Sequence, residues 1–173
     1  MPVDLFRALD QLGTRQLTGT FYRHTAPRRD ALSGEGARMI GGRWNPVGTE
    51  ALYLAEPREA CAAEFRRMAA GQGKGVESFL PRTLHTIAVT DLDIIDLTTP
   101  AHLHAVGLSE ADLAADDRTA CQLVGEAIAT SGIGGLLAPS ATGIGTVLTV
   151  YVRHTRTGQL TLVNSVTVDN DFE

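Results

Sequence analysis

Apolar residues recur along this chain with two different periods, and the changes of period mark its elements. Val3, Leu5, Phe6, Leu9 and Leu12 fall about one helical turn apart, so Met1 to Gln16 reads as a short helix ending at Gly13. From Leu17 to Arg23 the pattern becomes strict alternation: Leu17, Gly19, Phe21 and Arg23 share one face of a strand, and Thr18, Thr20 and Tyr22 the other. Thr25 to Ile40 is polar and aperiodic, which predicts a long loop; such loops bind ligands or cover sites more often than they merely connect. Ala51 to Ala55 is a short apolar strand. Pro57 to Ala70 predicts a helix that opens on proline and stops before Gly71.

Leu84 to Val89 and Leu92 to Leu97 predict two strand segments around Thr90 and Asp91. His102 and His104 fall in a short helical piece, where their i, i+2 spacing puts them on different faces, so they read as surface residues rather than ligands. Asp116 or Asp117 can cap a helix from Arg118 to Ser131, with apolar Ala120, Leu123, Val124, Ala127 and Ile128 and Gly132 behind it. Gly135 to Ala138 predicts a short buried strand. Val147 to Arg153 and Gln159 to Val168 alternate and predict a C-terminal hairpin turning at Gly158. The succession is α+β, with a mixed, mainly antiparallel sheet and flanking helices.

A chain of 173 residues with 43% hydrophobic content suits one well-buried core, so the expectation is a single domain over 1–173 with its core at about 17–168. The net charge of -5 gives nucleic acid no global attraction, although Arg23, Arg28, Arg29, Arg38 and Arg43 make the early part locally basic, which suits a small anionic ligand better. Cys61 and Cys121 lack spaced partners for a disulfide framework or a zinc site, and a reducing cytoplasmic setting follows as the default. No apolar run nears the roughly 18 residues needed to span a bilayer, and the N-terminus has no signal-peptide core, so a soluble protein with no membrane partner is expected.

The densest chemistry lies at Gly41 to Tyr53, where paired glycines, Arg43, Trp44 and the turn formers Pro46 and Gly48 precede a strand. Either this is an ordinary turn with a core tryptophan and a surface arginine, or Arg43 grips a phosphate and Trp44 walls a heterocycle. In the helix that follows, Ala60, Cys61, Phe65 and Met68 form an apolar face, and Glu64 falls inside it. A carboxylate there is paired, with Arg67 three residues on, or it is used. Thr119 and Gln122 stand near a helix N-terminus, where polar or anionic groups are favoured, though ordinary first-turn polarity explains them equally. Pro139 to Gly145 is not a Walker loop, and Ser140 lacks the frame of a nucleophile elbow.

Two arginines at glycine-rich turns, the aromatics Tyr22, Trp44 and Tyr53, and one inward carboxylate form a constellation for a dinucleotide. No Rossmann fingerprint is present, which disfavours hydride transfer. A single carboxylate is enough for cleaving the nicotinamide–ribose bond of NAD+, because the pyridine leaves neutral without a general acid and only the developing oxocarbenium needs a negative charge. Ordinary glycosidases need two.

Tyr22-Arg23, the run Asp30 to Arg38, Gly41-Gly42-Arg43-Trp44-Asn45-Pro46, Ala51 to Ala55 and the helix carrying Glu64 resemble the RES-domain toxin family, closest to its MbcT-type branch. Asp93 to Leu108, Asp116 to Gly125 and Gly134 to Thr149 are similar too, so the resemblance covers most of the chain. It implies an ADP-ribosyltransferase-like fold and a toxin of a type II toxin–antitoxin pair that degrades NAD+, as an NAD+ phosphorylase or an NAD+ glycohydrolase. NAD+ is then the substrate and inorganic phosphate an eventual co-substrate, with no cofactor and no metal. It further implies that Arg23, Tyr53 and Glu64 are catalytic and that Arg43 and Thr119 bind substrate, joined here by Tyr22, His24, Trp44 and Ser140. Where relatives carry an aromatic beside the first arginine and a Trp-Ser pair at the later helix, this chain has His24 and Arg118-Thr119. The partner implied is a cognate Xre/MbcA-type antitoxin that blocks the active site and carries any contact with nucleic acid; the toxin can form a homodimer. Two other readings stay open: a protein mono-ADP-ribosyltransferase using the same site, and a non-catalytic nucleotide- or antitoxin-binding module.

Overall fold

The structure, a computed structural model, describes residues 3–170. Met1 and Pro2, which the periodicity joins to the first helix, lie outside the described residues. The elements run α1 (Val3–Leu12), β1 (Arg15–Thr25), α2 (Glu35–Ile40), β2 (Leu52–Glu56), α3 (Arg58–Gly71), β3 (Arg82–Asp96), α4 (Pro100–Ala105), α5 (Glu110–Ala114), α6 (Thr119–Thr130), β4 (Gly135–Pro139), β5 (Thr146–Val150) and β6 (Leu160–Val168).

The sheet is mixed and mainly antiparallel. Its strand order β1-β2-β5-β4-β3 closes on itself through β1–β3 pairing, giving a small barrel with β6 attached to β3. The parallel pairing is β3 with β4, where Ile94 lies beside Gly135 and Asp96 beside Leu137. The seams are unequal. β1 and β3 pair from Arg15–Ile94 to Thr25–Thr83, whereas β1 meets β2 at the single pair Tyr22–Ala55. The expected alternation of β1 holds: Leu17 and Phe21 enter the barrel interior with Leu54, Ile87, Leu148 and Val150. Outside, α1, α4, α5 and α6 pack Leu9, Leu103, Leu113 and Ile128 against Ile95 and Leu136. α3 lays Ala60, Cys61 and Phe65 over Ala55 and Leu84. Each large side chain fully buried in this way contributes about 1.5–3 kcal/mol.

The loop expected over Thr25 to Ile40 holds a helix, α2. It buries none of its residues and leaves Met39 and Ile40 exposed, so no apolar stripe marks it, and an Arg38–Glu35 ion pair one turn apart supports it. Thr90 and Asp91 do not divide two strands, because β3 runs through them as a bulge. Asp91 takes φ 49 there, its N–H donates to Thr18 Oγ1 at 3.0 Å, and the register with β1 shifts between Leu17 and Gly19. The C-terminal hairpin does not form. β5 is inserted between β2 and β4, while β6 pairs with β3. The alternation was the same in both strands but the burial is not: Leu148, Thr149 and Val150 are enclosed between two neighbours, and Thr161 to Thr167 are exposed. Buried Tyr151 and a 3-10 turn at Val152–His154 turn the chain away before it reaches β6.

Candidate active site

Over the β1–β2 seam, α3, the Gly41–Trp44 turn and residues 139–147 enclose a cleft of about 380 Å³. Tyr22, Arg23, His24, Arg43, Trp44, Tyr53 and Glu64 all line it. Ser140 and Thr119 do not, although their neighbours Pro139, Ala141 and Arg118 do.

The Gly41–Tyr53 stretch is held from three sides. The Gly42 N–H closes a turn on the Asn45 carbonyl at 2.9 Å. Asn45 is fully buried; its amide donates to the carbonyls of Ala37 and Thr49 at 2.9 and 2.8 Å, and its Oδ1 accepts the Tyr53 hydroxyl at 2.6 Å. The same hydroxyl accepts the Trp44 N–H at 2.9 Å. Gln122 of α6 donates to the Gly42 carbonyl at 2.8 Å, and the Tyr151 hydroxyl to that of Trp44 at 2.9 Å. Two glycines are required sterically: a Cβ on Gly42 would lie 2.4 Å from the Tyr53 hydroxyl oxygen, and one on Gly125 only 1.9 Å from the Trp44 carbonyl oxygen. Trp44 itself is 2% exposed and belongs mostly to the helical core, touching the cleft at its edge. Burial pushes the Tyr53 phenol well above the ordinary tyrosine range, with both hydrogen-bonding roles of its oxygen occupied, so its ring is what faces a ligand. Arg43 gives one N–H each to the carbonyls of Asp112, at 3.1 Å, and Ala115, at 2.9 Å.

Arg23 and His24 are consecutive in a strand and therefore point to opposite faces. The Arg23 guanidinium donates to the carbonyls of Ala31 and Ser33, fastening the loop before α2, and burial lowers its pKa. His24 Nδ1 accepts from Arg82 Nε at 3.1 Å, and because arginine only donates, the ring proton sits on Nε2. The His24 ring lies 4.8 Å from that of Phe65, over which Arg82 also sits. Burial first, then the charges of Arg82 and Arg23, push the His24 pKa down to about 3, so the ring is neutral near pH 7.

Glu64 faces the cleft half-buried, and its Oε1 accepts the Ser140 hydroxyl at 2.6 Å. Ser140 accepts in turn from the Thr142 N–H at 3.1 Å, which explains why it lies behind the wall. Arg67 does not neutralise Glu64. It reaches the Ala114 carbonyl instead, and the ion pairs among the described residues are Arg15–Asp96 and Arg38–Glu35. Burial and the nearby Glu64 charge push the Cys61 thiol up to about 12, leaving it inert. Thr119 turns away: its hydroxyl donates to Asp117 Oδ1 at 2.7 Å, and Arg118 takes the place on the wall. Asn45, Arg82, Arg118, Gln122, Gly125 and Tyr151 are site-building residues that sequence reasoning did not single out as such. Asn45 and Gln122 carried a signal, as a buried-type amide inside the arginine run and a polar residue in the first turns of α6. Among the described residues, no group of three His, Cys, Asp or Glu side chains is placed to hold a metal ion.

The segments that build this cleft fall within residues 20–166, which match the model of the RES domain. The chain belongs to the RES domain family. This RES-domain protein is 47% identical over 165 residues to the NAD(+) phosphorylase MbcT of Mycobacterium tuberculosis, a match spanning 94% of this chain and 89% of the relative. The same figures hold for the NAD(+) phosphorylase MbcT of Mycobacterium bovis. A chain in the crystal structure of the M. tuberculosis MbcT–MbcA toxin–antitoxin complex matches the RES-domain protein with a TM-score of 0.91 at 44% identity, over 96% of this chain and 92% of that one.

Proposed function

We propose that this RES-domain protein is the toxin of a toxin–antitoxin pair and destroys NAD+ by phosphorolysis. The observation that carries the reading is the position of Glu64, a half-buried carboxylate with no ion-pair partner among the described residues, in a cleft that Arg23, Arg43, Arg67, Arg118, Tyr22 and Tyr53 also line. Likeness to MbcT supports the choice of substrate.

NAD+ would lie with its diphosphate among the guanidiniums and its nicotinamide against Tyr53 and Tyr22. As the C1′–N bond stretches, its electron pair passes to the pyridine nitrogen and neutralises it. Glu64 stabilises the positive charge growing on the ribose and orients the acceptor. A phosphate oxygen then bonds to C1′, giving nicotinamide and a phosphorylated ADP-ribose. Ser140 holds Glu64 in place through its hydroxyl. His24, being neutral, adds no positive charge against the oxocarbenium.

The remaining parts of the reading follow from it. The whole chain, 1–173, acts as one domain in the cytoplasm, and the barrel is related to the ADP-ribosyltransferases. Its partner is an antitoxin whose segment fills the cleft; the apolar rim supports this, since Ile40 is 82% exposed and lines the cleft beside exposed Met39. Mass analysis of the products should give ADP-ribose phosphate with inorganic phosphate present. Glu64→Gln should lose turnover by about 100-fold or more with an unchanged melting temperature. Wild-type rates of NAD+ loss in that variant would remove the basis of the mechanism.

A further inference from the structure

We infer that Arg118 binds substrate, gripping the NAD+ diphosphate together with Arg43. The inference rests on the NAD+ reading above and specifies how the dinucleotide is held. Four guanidiniums line the cleft, on Arg23, Arg43, Arg67 and Arg118, and they differ in how many donors remain for a ligand. Arg23 gives one bond from each terminal nitrogen, to the carbonyls of Ala31 and Ser33. Arg67 reaches toward the Ala114 carbonyl at 3.4 Å. Arg43 likewise gives one bond from each terminal nitrogen, to the carbonyls of Asp112 and Ala115. Arg118 is exposed, and its guanidinium makes no hydrogen bond or ion pair with the described residues. Neither adjacent aspartate neutralises it, and Asp117 is occupied by the N–H and hydroxyl of Thr119.

Position agrees with this inventory. Arg43 is tied to the Ala115 carbonyl, three residues before Arg118, so its guanidinium lies against the segment that carries Arg118. Both charges lie near enough to act on the Tyr53 phenol. Arg118 also stands at the cap of α6, a 12-residue helix whose positive end adds to the field. Two planar forks on one diphosphate match its two negative charges, and phosphate binding is the use for which an uncommitted arginine is best suited.

The test uses the catalytically disabled Glu64→Gln protein and ADP-ribose as ligand, followed by calorimetry. Adding Arg118→Ala should weaken ADP-ribose binding about 10- to 100-fold. Arg118→Lys should recover part of the loss. Binding of nicotinamide riboside, which has no phosphate, should not change, nor should the melting temperature, because the side chain has no partner among the described residues. With an intact Glu64, Arg118→Ala should raise KM for NAD+ and leave KM for inorganic phosphate alone. An effect confined to the KM for inorganic phosphate would assign Arg118 to the acceptor and overturn the inference, as would unaltered ADP-ribose affinity. Failure of the NAD+ reading is told apart beforehand, since the unsubstituted protein would then neither consume NAD+ nor bind ADP-ribose, and this inference would fall with it.

Discussion

Replacing Gly125 with alanine sets two opposing effects against each other. In the middle of α6, alanine gains about 1 kcal/mol over glycine from helix propensity. The added methyl would stand 1.9 Å from the Trp44 carbonyl oxygen and 2.7 Å from the Tyr151 hydroxyl, where ordinary contact begins at 3.4 Å. The helix or the turn must therefore move by about 1.5 Å. Overpacking of this kind costs about 1–3 kcal/mol. The displaced Trp44 carbonyl also loses the buried Tyr151 hydrogen bond, at about 1–2 kcal/mol. The clash wins by about 2–3 kcal/mol, which for a chain of this size lowers the melting temperature by about 5–10 °C. Gly36→Ala in α2 is the control, because a Cβ there meets nothing within 4 Å, so propensity alone should stabilise by up to about 1 kcal/mol. Thermal unfolding of both variants reads the difference directly. A Gly125→Ala protein as stable as its parent would mean that α6 does not brace the Arg43–Trp44 turn.

Arg23→Ala should lower stability by about 2 kcal/mol in urea unfolding, because the carbonyls of Ala31 and Ser33 lose a charged donor; full stability in that variant would show that Arg23 does not fasten the loop. His24 makes stability depend on pH. Its folded value of about 3 lies below the ordinary 6.5, so the unfolded chain binds a proton in that window that the folded chain refuses. Stability should therefore fall as pH drops from about 6.5 toward 3, by up to about 1.4 kcal/mol per unit. His85, also lowered by burial, adds in the same direction. Urea unfolding at pH 7 and pH 5 should show the loss, and His24→Gln should reduce it; an equal loss in both proteins would place the proton uptake elsewhere.

Much of this architecture was legible in the chain because local patterns coincide with burial. The alternation of β1, the helix around Glu64 and the buried strand at β4 lie where the residues indicated. The readings that failed depended on tertiary context. Alternation marks a strand but not its neighbour, so β5 and β6 looked like one hairpin although closure of the barrel separates them. An aspartate in the left-handed region looks like a break until Thr18 is found across from it. The cleft shows the same division. Glu64, Arg43 and Tyr53 do meet there, but one sequence cannot show which donors of an arginine are already taken, and that distinguishes Arg23 from Arg118.

The meeting of β1 and β2 at Tyr22 and Ala55 lies in the floor of the cleft, and there the barrel is closed by far fewer main-chain bonds than along β1 and β3. Thermal opening will concentrate where the cylinder is least stitched, so amide protons on either side should exchange with solvent sooner than those of Phe21 or Ile87. A ligand that bridges the two strands would act as a suture, tightening the weakest join in the molecule by occupying it.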